Sequence, residues 1–225
     1  KKNVIAPETI IDIYGADTVR WFMLSDTPPE RDIEWTDEGA SGCYRFVQRV
    51  WRLVEEAGDL PPPGTTAQGA SELRRATHRA IAAVTDDIEH LRFNRAVAQI
   101  YTLAGAIDAK ADPADRREAL ETLVLLVAPM MPHLAESCWQ ALGHASLAVD
   151  TPWPKADAAL IRSDTVTIAV QVNGKRRGEI TVAADADEES VKAAALAEDG
   201  VARFLDGKAP KRIIVVPHRI VNIVA

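Results

Sequence analysis

The chain has 225 residues, more than most single domains contain, so we expect two or more compact units. Its composition, with 47% hydrophobic and 26% charged residues, is that of a folded globular protein and excludes disordered and fibrous classes. The formal net charge of −7 disfavours nucleic-acid binding through overall charge, so such binding would need positive side chains concentrated on one surface.

Residues 1–35 are predicted to be a connector that contains two short helices. Pro7 suits the first turn of a helix that Gly15 ends, and Asp17 can begin a second helix that runs to Leu24. The two prolines and the acidic residues that follow show no helical periodicity. This segment is therefore interpreted as a lead into the next part of the chain.

Residues 36–160 are predicted to fold as an antiparallel helix bundle. Phe46, Val50 and Leu53 recur at helical spacing and place a helix over residues 37–53. Apolar periodicity, together with prolines at helix starts and glycine or polar stops, predicts four more helices over roughly residues 71–89, 93–110, 113–127 and 132–142. The alanine-rich stretch up to Leu160 is interpreted as a linker.

Residues 163–225 are predicted to form a small α+β domain in the order ββαββ, with a short helical turn after the main helix. Apolar and polar residues alternate from Val166 to Val172, which predicts a strand with one buried face. Asn173 and Gly174 then predict a hairpin. The final two strands are expected over residues 213–216 and 220–224.

The hairpin register needs one adjustment to keep the buried face apolar. A strict two-residue loop would place Val170 opposite Arg177, so we expect either a loop of odd length or a β-bulge. Lys175 and Arg177 should then lie beside Gln171 on the face away from the core. Arg176 should lie near the open end of the loop.

Acidic and basic side chains are segregated within residues 163–225, which carry nine of each. The acidic residues collect around the predicted helix, whereas the basic residues lie on the hairpin and beside the final strands. One surface can therefore be basic although the net charge of the domain is zero. An alternative is that these charges protect edge strands from aggregation. The candidate RNA-binding residues here are Lys175, Arg176, Arg177, Lys208, Lys211, Arg212, His218 and Arg219.

A second candidate RNA-binding surface lies in the bundle. Arg45, Arg49 and Arg52 follow one another at helical spacing beside the apolar stripe and form a row along one edge of the helix. Guanidinium groups in such a row can bind phosphates. The alternative is a solvated helix face whose arginines pair with neighbouring acidic residues.

The sequence contains no constellation that indicates catalysis or metal binding. His133 and Glu136 lack a third ligand nearby, and a capping or packing role at a helix start is favoured. Cys43 and Cys138 lie far apart and are expected to be buried thiols. No apolar stretch reaches the roughly 18 residues needed to cross a bilayer, and the first residues lack a signal-peptide pattern. We expect a cytoplasmic protein without a membrane partner.

Several segments resemble class I aminoacyl-tRNA synthetases. Residues 14–20, YGADTVR, resemble the segment that follows the Lys-Met-Ser-Lys-Ser signature loop in enzymes for aliphatic amino acids, and Lys1, Lys2 and Asn3 resemble the residues directly after that loop. Residues 128–136, APMMPHLAE, are similar to the start of a bundle helix in the leucine, isoleucine and valine enzymes. Residues 171–178, QVNGKRRG, and 213–224, IIVVPHRIVNIV, resemble the C-terminal domain of bacterial leucyl-tRNA synthetases.

The resemblance implies a C-terminal part of a leucyl-tRNA synthetase, in which the bundle has an anticodon-binding fold. It implies binding to tRNA(Leu) by the body and outer corner of the L rather than by an anticodon sequence, consistent with RNA recognition through shape. It places Lys1, Lys2 and Asn3 next to the ATP signature loop. ATP and magnesium would be used by the full enzyme, and no catalytic residue or cofactor site is expected in this chain.

The expected partners are tRNA(Leu) and the catalytic and editing domains of the same enzyme, and the protein is expected to be a monomer. An alternative function is an acidic helical module for protein interaction, whose small domain docks a protein partner. Salt distinguishes the two functions, because RNA binding weakens steeply as salt rises whereas an apolar protein interface does not.

Overall fold

The structure is a computed structural model that describes residues 6–25, 28, 30–162, 165–217 and 219–225. The chain divides into two compact units, Lys1–Ile161 and Arg162–Ala225. The first unit is helical and the second combines helices with a four-stranded sheet, which confirms the fold class predicted from the sequence. Of the predicted site residues, Lys1, Lys2, Asn3 and His218 lie outside the described residues.

The described part of the first unit contains eight helices: α1 (Pro7–Tyr14), α2 (Ala16–Ser25), α3 (Asp37–Glu55), α4 (Glu72–Glu89), α5 (Phe93–Ala106), α6 (Pro113–Val127), α7 (Pro132–Ala141) and α8 (Ala158–Ile161). α5 ends four residues earlier than expected. Ile107 has an extended backbone there, and the Asp108 carboxylate accepts a hydrogen bond from the backbone N–H of Lys110 at 2.9 Å. This local turn competes with helix continuation. α8 lies in the stretch that we expected to be a linker.

Side-chain caps fix the starts of three bundle helices. Thr36 accepts a hydrogen bond from the third residue of α3, Ser71 from that of α4, and Asp112 from the second and third residues of α6. Such caps satisfy backbone N–H groups that have no partner within the helix. α7 starts at Pro132 without a cap from its own flanking residue.

The core of the first unit includes the segment that we expected to be a connector. Trp21 of α2 is fully buried, and its ring stacks on Phe46 of α3 with the ring centroids 5.1 Å apart. Tyr101 of α5 contacts the same two rings and accepts a hydrogen bond from the Trp21 indole N–H at 3.3 Å. α2 is therefore part of the bundle core, because its large aromatic side chain packs against α3 and α5.

The second unit contains β1 (Thr165–Val172), β2 (Lys175–Ala183), α9 (Glu188–Ala197), α10 (Asp199–Leu205), β3 (Arg212–Val216) and β4 (Ile220–Val224). The strand order is β2-β1-β4-β3, with β1 and β4 parallel and the two outer pairs antiparallel. Apolar side chains of α9 and α10 form a core with one face of this sheet, and the core includes Val170, Val191 and Val201.

The hairpin has a two-residue turn, and a β-bulge in β2 keeps the apolar residues of both strands on the buried face. Asn173 and Gly174 both have positive φ, 49° and 76°, as a tight hairpin turn requires. Val170 pairs with Gly178 whereas Gln171 pairs with Arg176, so Arg177 is the extra residue. The predicted neighbours of Gln171 were therefore wrong. Directly paired residues share a face, so Arg176 lies beside Gln171, while Lys175 pairs with buried Val172.

Candidate functional site

The pairing of β1 with β4 brings basic residues from two parts of the chain to one end of the sheet. Because these strands are parallel, the hairpin turn lies at the end where β4 finishes and β3 begins. The backbone N–H of Asn173 donates to the Ile223 carbonyl at 2.9 Å, and the Asn173 side chain accepts from the N–H of Ala225 at 3.1 Å. These bonds tie the turn to the end of β4.

We name Lys175, Lys211 and Arg212 the hairpin-end cations. Lys175 begins β2 at one edge of the sheet, and Arg212 begins β3 at the other edge. Three interstrand spacings separate the outer strands, which is roughly 14 Å. All three residues are exposed, and the Lys211 ammonium donates to the Ala225 carbonyl at 3.3 Å. This end of the sheet therefore presents positive charge without an opposing carboxylate in ion-pair contact among the described residues.

The remaining predicted cations of this unit are distributed elsewhere. Arg219 lies in the turn between β3 and β4, at the opposite end of the sheet from the hairpin turn. Arg219 therefore does not share a surface with the hairpin-end cations, although the sequence groups all four as candidate RNA-binding residues. Lys208 is exposed in the loop that leads from α10 to β3. The Arg176 guanidinium pairs with the Glu179 carboxylate at 2.6 Å, which neutralises part of its charge.

Arg177 contacts Phe204, an aromatic residue of α10 that is not among the residues predicted from the sequence. Its guanidinium carbon lies 4.5 Å from the centroid of the Phe204 ring on α10. Phe204 is 41% exposed, which is unusual for an aromatic side chain at the end of a short helix. Phe204 could hardly be selected from the sequence, because α10 has only seven residues and shows too little periodicity to separate exposed from buried positions. The contact also depends on the bulge, which periodicity cannot locate.

The arginine row of α3 is not uniform. Arg45 donates to the Ser41 hydroxyl at 3.0 Å, one helical turn earlier. Arg49 donates to the Ala104 carbonyl of α5 at 3.1 Å and so binds the end of a neighbouring helix. Arg52 has an exposed side chain with no hydrogen bond or ion pair in the described part of the chain. Arg45 and Arg52 are therefore available to a ligand, whereas Arg49 has a structural contact.

Two of the segments that carry the family resemblance contact each other. The Asp17 carboxylate accepts hydrogen bonds from the backbone N–H of Leu134 at 2.6 Å and from the His133 ring at 3.0 Å. Arg20, one turn later on α2, donates to the carbonyls of Pro129 and Met130, each at 2.9 Å. Asp17 thus supplies the cap that α7 lacks, and His133 takes part in that capping contact.

Buried Arg74 and His78 of α4 both contact the partly buried Glu118 of α6. Glu118 accepts a hydrogen bond from Arg74 at 2.7 Å and lies 3.2 Å from the His78 ring. Burial raises the pKa of the Cys138 thiol to about 12, so the thiol is not a nucleophile near neutral pH.

Within the described ranges, no group of three or more histidine, cysteine or acidic residues could hold a metal ion. No helix there is long and apolar enough to cross a membrane.

Residues 70–193 match the family described as the anticodon-binding domain of tRNA ligase. The whole chain is 57% identical to part of a leucine–tRNA ligase from Parvibaculum lavamentivorans and 52% identical to part of one from Mesorhizobium japonicum. It spans 27% of the length of each of these curated relatives.

A solved structure has a similar fold along the chain. It is the ternary complex of the Agrobacterium radiobacter K84 agnB2 LeuRS with tRNA and LeuAMS, with a TM-score of 0.81 and 30% sequence identity. The similarity covers 99% of this chain and 30% of the chain in that complex.

Proposed function

This chain belongs to the anticodon-binding domain family of tRNA ligases, and from that premise we propose that it is the tRNA-binding C-terminal part of a leucyl-tRNA synthetase. Its task is to bind tRNA(Leu) by the body and outer corner, so that the 3′ end reaches a catalytic domain elsewhere in the protein. Holding two reactants in a fixed orientation is a large part of the rate acceleration in such reactions.

The hairpin-end cations are the observation that carries this proposal. A chain with a net charge of −7 needs a local concentration of positive side chains to bind phosphates. The sheet provides one by bringing residues from the start of β2 and the start of β3 to the same end. Arg45 and Arg52 are a second candidate contact, in the first unit. The similarity to tRNA ligases does not favour the alternative of a protein-docking module.

The full protein is proposed to use ATP, leucine and magnesium, with the chemistry in its catalytic domain and no cofactor bound by this chain. It is further proposed to contain an editing domain, to act as a monomer and to work in the cytoplasm. The exposed apolar side chains Ile13 of α1 and Met23 of α2 are suited to contact the rest of the protein.

The experiment that tests the proposal is a salt titration of tRNA(Leu) binding. Replacing Lys175, Lys211 and Arg212 together with alanine should weaken binding. It should also flatten the dependence of log affinity on log salt by roughly 0.7 to 0.9 for each phosphate that the variant no longer binds. Folding should be unchanged because all three side chains are exposed.

A matched control removes the same number of positive charges elsewhere. Arg79, Lys110 and Lys155 are exposed residues of the first unit, outside both candidate surfaces. If this control variant and the hairpin-end variant bind equally well at every salt concentration, the end of the sheet is not the RNA contact. Absence of salt-dependent tRNA(Leu) binding by the unchanged chain would instead favour a protein-docking module.

A further inference from the structure

Arg177 and Phe204 form an exposed stack on the second unit, and phosphate binding by the hairpin-end cations does not involve it. The guanidinium lies over the aromatic ring at 4.5 Å, and both residues are exposed. In the described residues Arg177 makes no ion pair, unlike Arg176 beside it, which pairs with Glu179. Its charge therefore interacts with the ring face rather than with a carboxylate.

Local backbone packing holds this stack in place. Arg177 is the extra residue of the bulge, so its direction differs from that of the regular strand residues. A Cβ at Gly178 would overlap the Glu198 carboxylate, and a Cβ at Gly200 would overlap the Arg177 carbonyl oxygen. Two glycines thus allow the start of α10 to approach the bulge closely, which fixes the separation between the strand and the helix that carries Phe204.

The surroundings of the stack do not favour phosphate. Glu198 precedes α10, Asp199 begins it and Asp206 follows it, and Glu198 uses its carboxylate to accept a hydrogen bond from the Val201 N–H at 3.0 Å. Arg203 lies 4.0 Å from the Asp199 carboxylate in an exposed ion pair. The remaining carboxylates of Glu198 and Asp206, at the two ends of this short helix, would repel a phosphate group. A planar, uncharged group that stacks on the guanidinium avoids this repulsion.

We propose that Arg177, backed by Phe204, is a stacking platform for an unpaired nucleobase of the bound RNA. Sequence-specific RNA-binding surfaces take splayed bases on aromatic rings and on guanidinium planes. The Phe204 ring lies on one side of the guanidinium, and the nucleobase stacks on the opposite side. Arg177 lies on β2, Phe204 lies on α10, and both side chains are exposed, so the platform is accessible to RNA. This inference rests on the proposed tRNA binding and adds a contact of a different chemical kind.

Two conservative substitutions test the platform. Arg177→Lys keeps the charge but removes the planar group, and Phe204→Leu keeps an apolar side chain but removes the ring. Each should weaken the binding of tRNA(Leu) by fivefold or more, about the lower limit for loss of one base–aromatic stack. Neither should change the salt slope, because neither alters a charge. The double variant should bind no more weakly than the weaker single variant, because the two side chains act as one unit.

Arg79→Lys is the matched control, since it makes the same change at an exposed arginine outside both candidate surfaces, and its affinity should remain near that of the unchanged chain. Thermal unfolding of each variant checks that the second unit is intact, and Arg177→Lys keeps the test decisive if Phe204→Leu is destabilised. Unaltered affinity of Arg177→Lys at every salt concentration overturns the platform and leaves the proposed function standing. Absence of salt-dependent tRNA(Leu) binding by the unchanged chain overturns both.

Discussion

The Asp17 carboxylate joins two segments that are more than a hundred residues apart in the sequence. It accepts from the first turn of α7, where backbone N–H groups lack partners and the helix dipole favours negative charge. Because Asp17 links α2 to the first turn of α7, a sequence motif in each helix has a shared structural cause.

Asp17→Ala should destabilise the first unit by about 1–2 kcal/mol, the range for loss of a helix cap with a favourable charge. The measurement is the free energy of unfolding in denaturant, with unfolding monitored by the circular dichroism of the helices. Asp12→Ala on α1 is the control, because Asp12 is exposed. Equal stability of the two variants would show that the contact contributes nothing.

Burial of the Cys138 thiol makes a prediction about pH. The pKa is raised to about 12, so the folded protein keeps this proton well above pH 9. An unfolded chain releases it near its ordinary pKa of about 8.5. Between the unfolded pKa and the folded pKa, the unfolded state therefore binds fewer protons than the folded state. The contribution of Cys138 to the free energy of unfolding falls as the pH rises through this range.

In a Cys43→Ala background, Cys138 should resist alkylation by iodoacetamide at pH 8 in the folded state and react once the chain is unfolded. A mass measurement of the adduct gives the result directly. Rapid modification of the folded protein would contradict the burial of this thiol, since only the thiolate reacts at an appreciable rate.

At the scale of elements, the bulge in β2 decides which side chains share a face. Gly178→Ala should destabilise the second unit, because the new Cβ displaces the Glu198 carboxylate from the cap of α10. The effect should be smaller in a Glu198→Ala background, where that carboxylate is absent. A double-mutant cycle on unfolding free energies measures the difference, and simple additivity would mean that the two residues do not interact.

The bulge also shows where sequence reasoning reached its limit. Alternating residues in β1 required a change of register, and the structure contains one. Which residue would be extra depends on packing between Gly178 and Glu198, a contact that periodicity does not encode. Helix positions were largely predictable because prolines, caps and apolar spacing are local signals.

The candidate site was predictable only in part for the same reason. Clustered arginines were visible in the sequence, but the contact of Arg49 with the Ala104 carbonyl and that of Arg177 with Phe204 join distant residues. Parallel pairing of β1 with β4 likewise determined which cations share one end of the sheet. Such long-range arrangements follow from tertiary structure rather than from local spacing.

At the scale of the whole molecule, each unit has its own hydrophobic core. No residue of the first core cluster belongs to the second. Residues 162–225 expressed alone should therefore fold, with dispersed amide resonances in an NMR spectrum. Val221→Asp should abolish that dispersion because Val221 is fully buried in the central strand β4, whereas Ile214→Asp on exposed β3 should preserve it. An unfolded spectrum for the unaltered unit would contradict its independence.

The position of β4 has a consequence for the order of events during synthesis. β4 is the last element of the second unit in chain order, yet it lies between β1 and β3 in the sheet. A ribosome must therefore complete every other element of this unit before its sheet can assemble, and β1 must wait with one side unpaired. The helices of the first unit emerge earlier, and domains generally fold as units during synthesis with the N-terminal one first. The bundle should thus be folded while the second unit is still being translated.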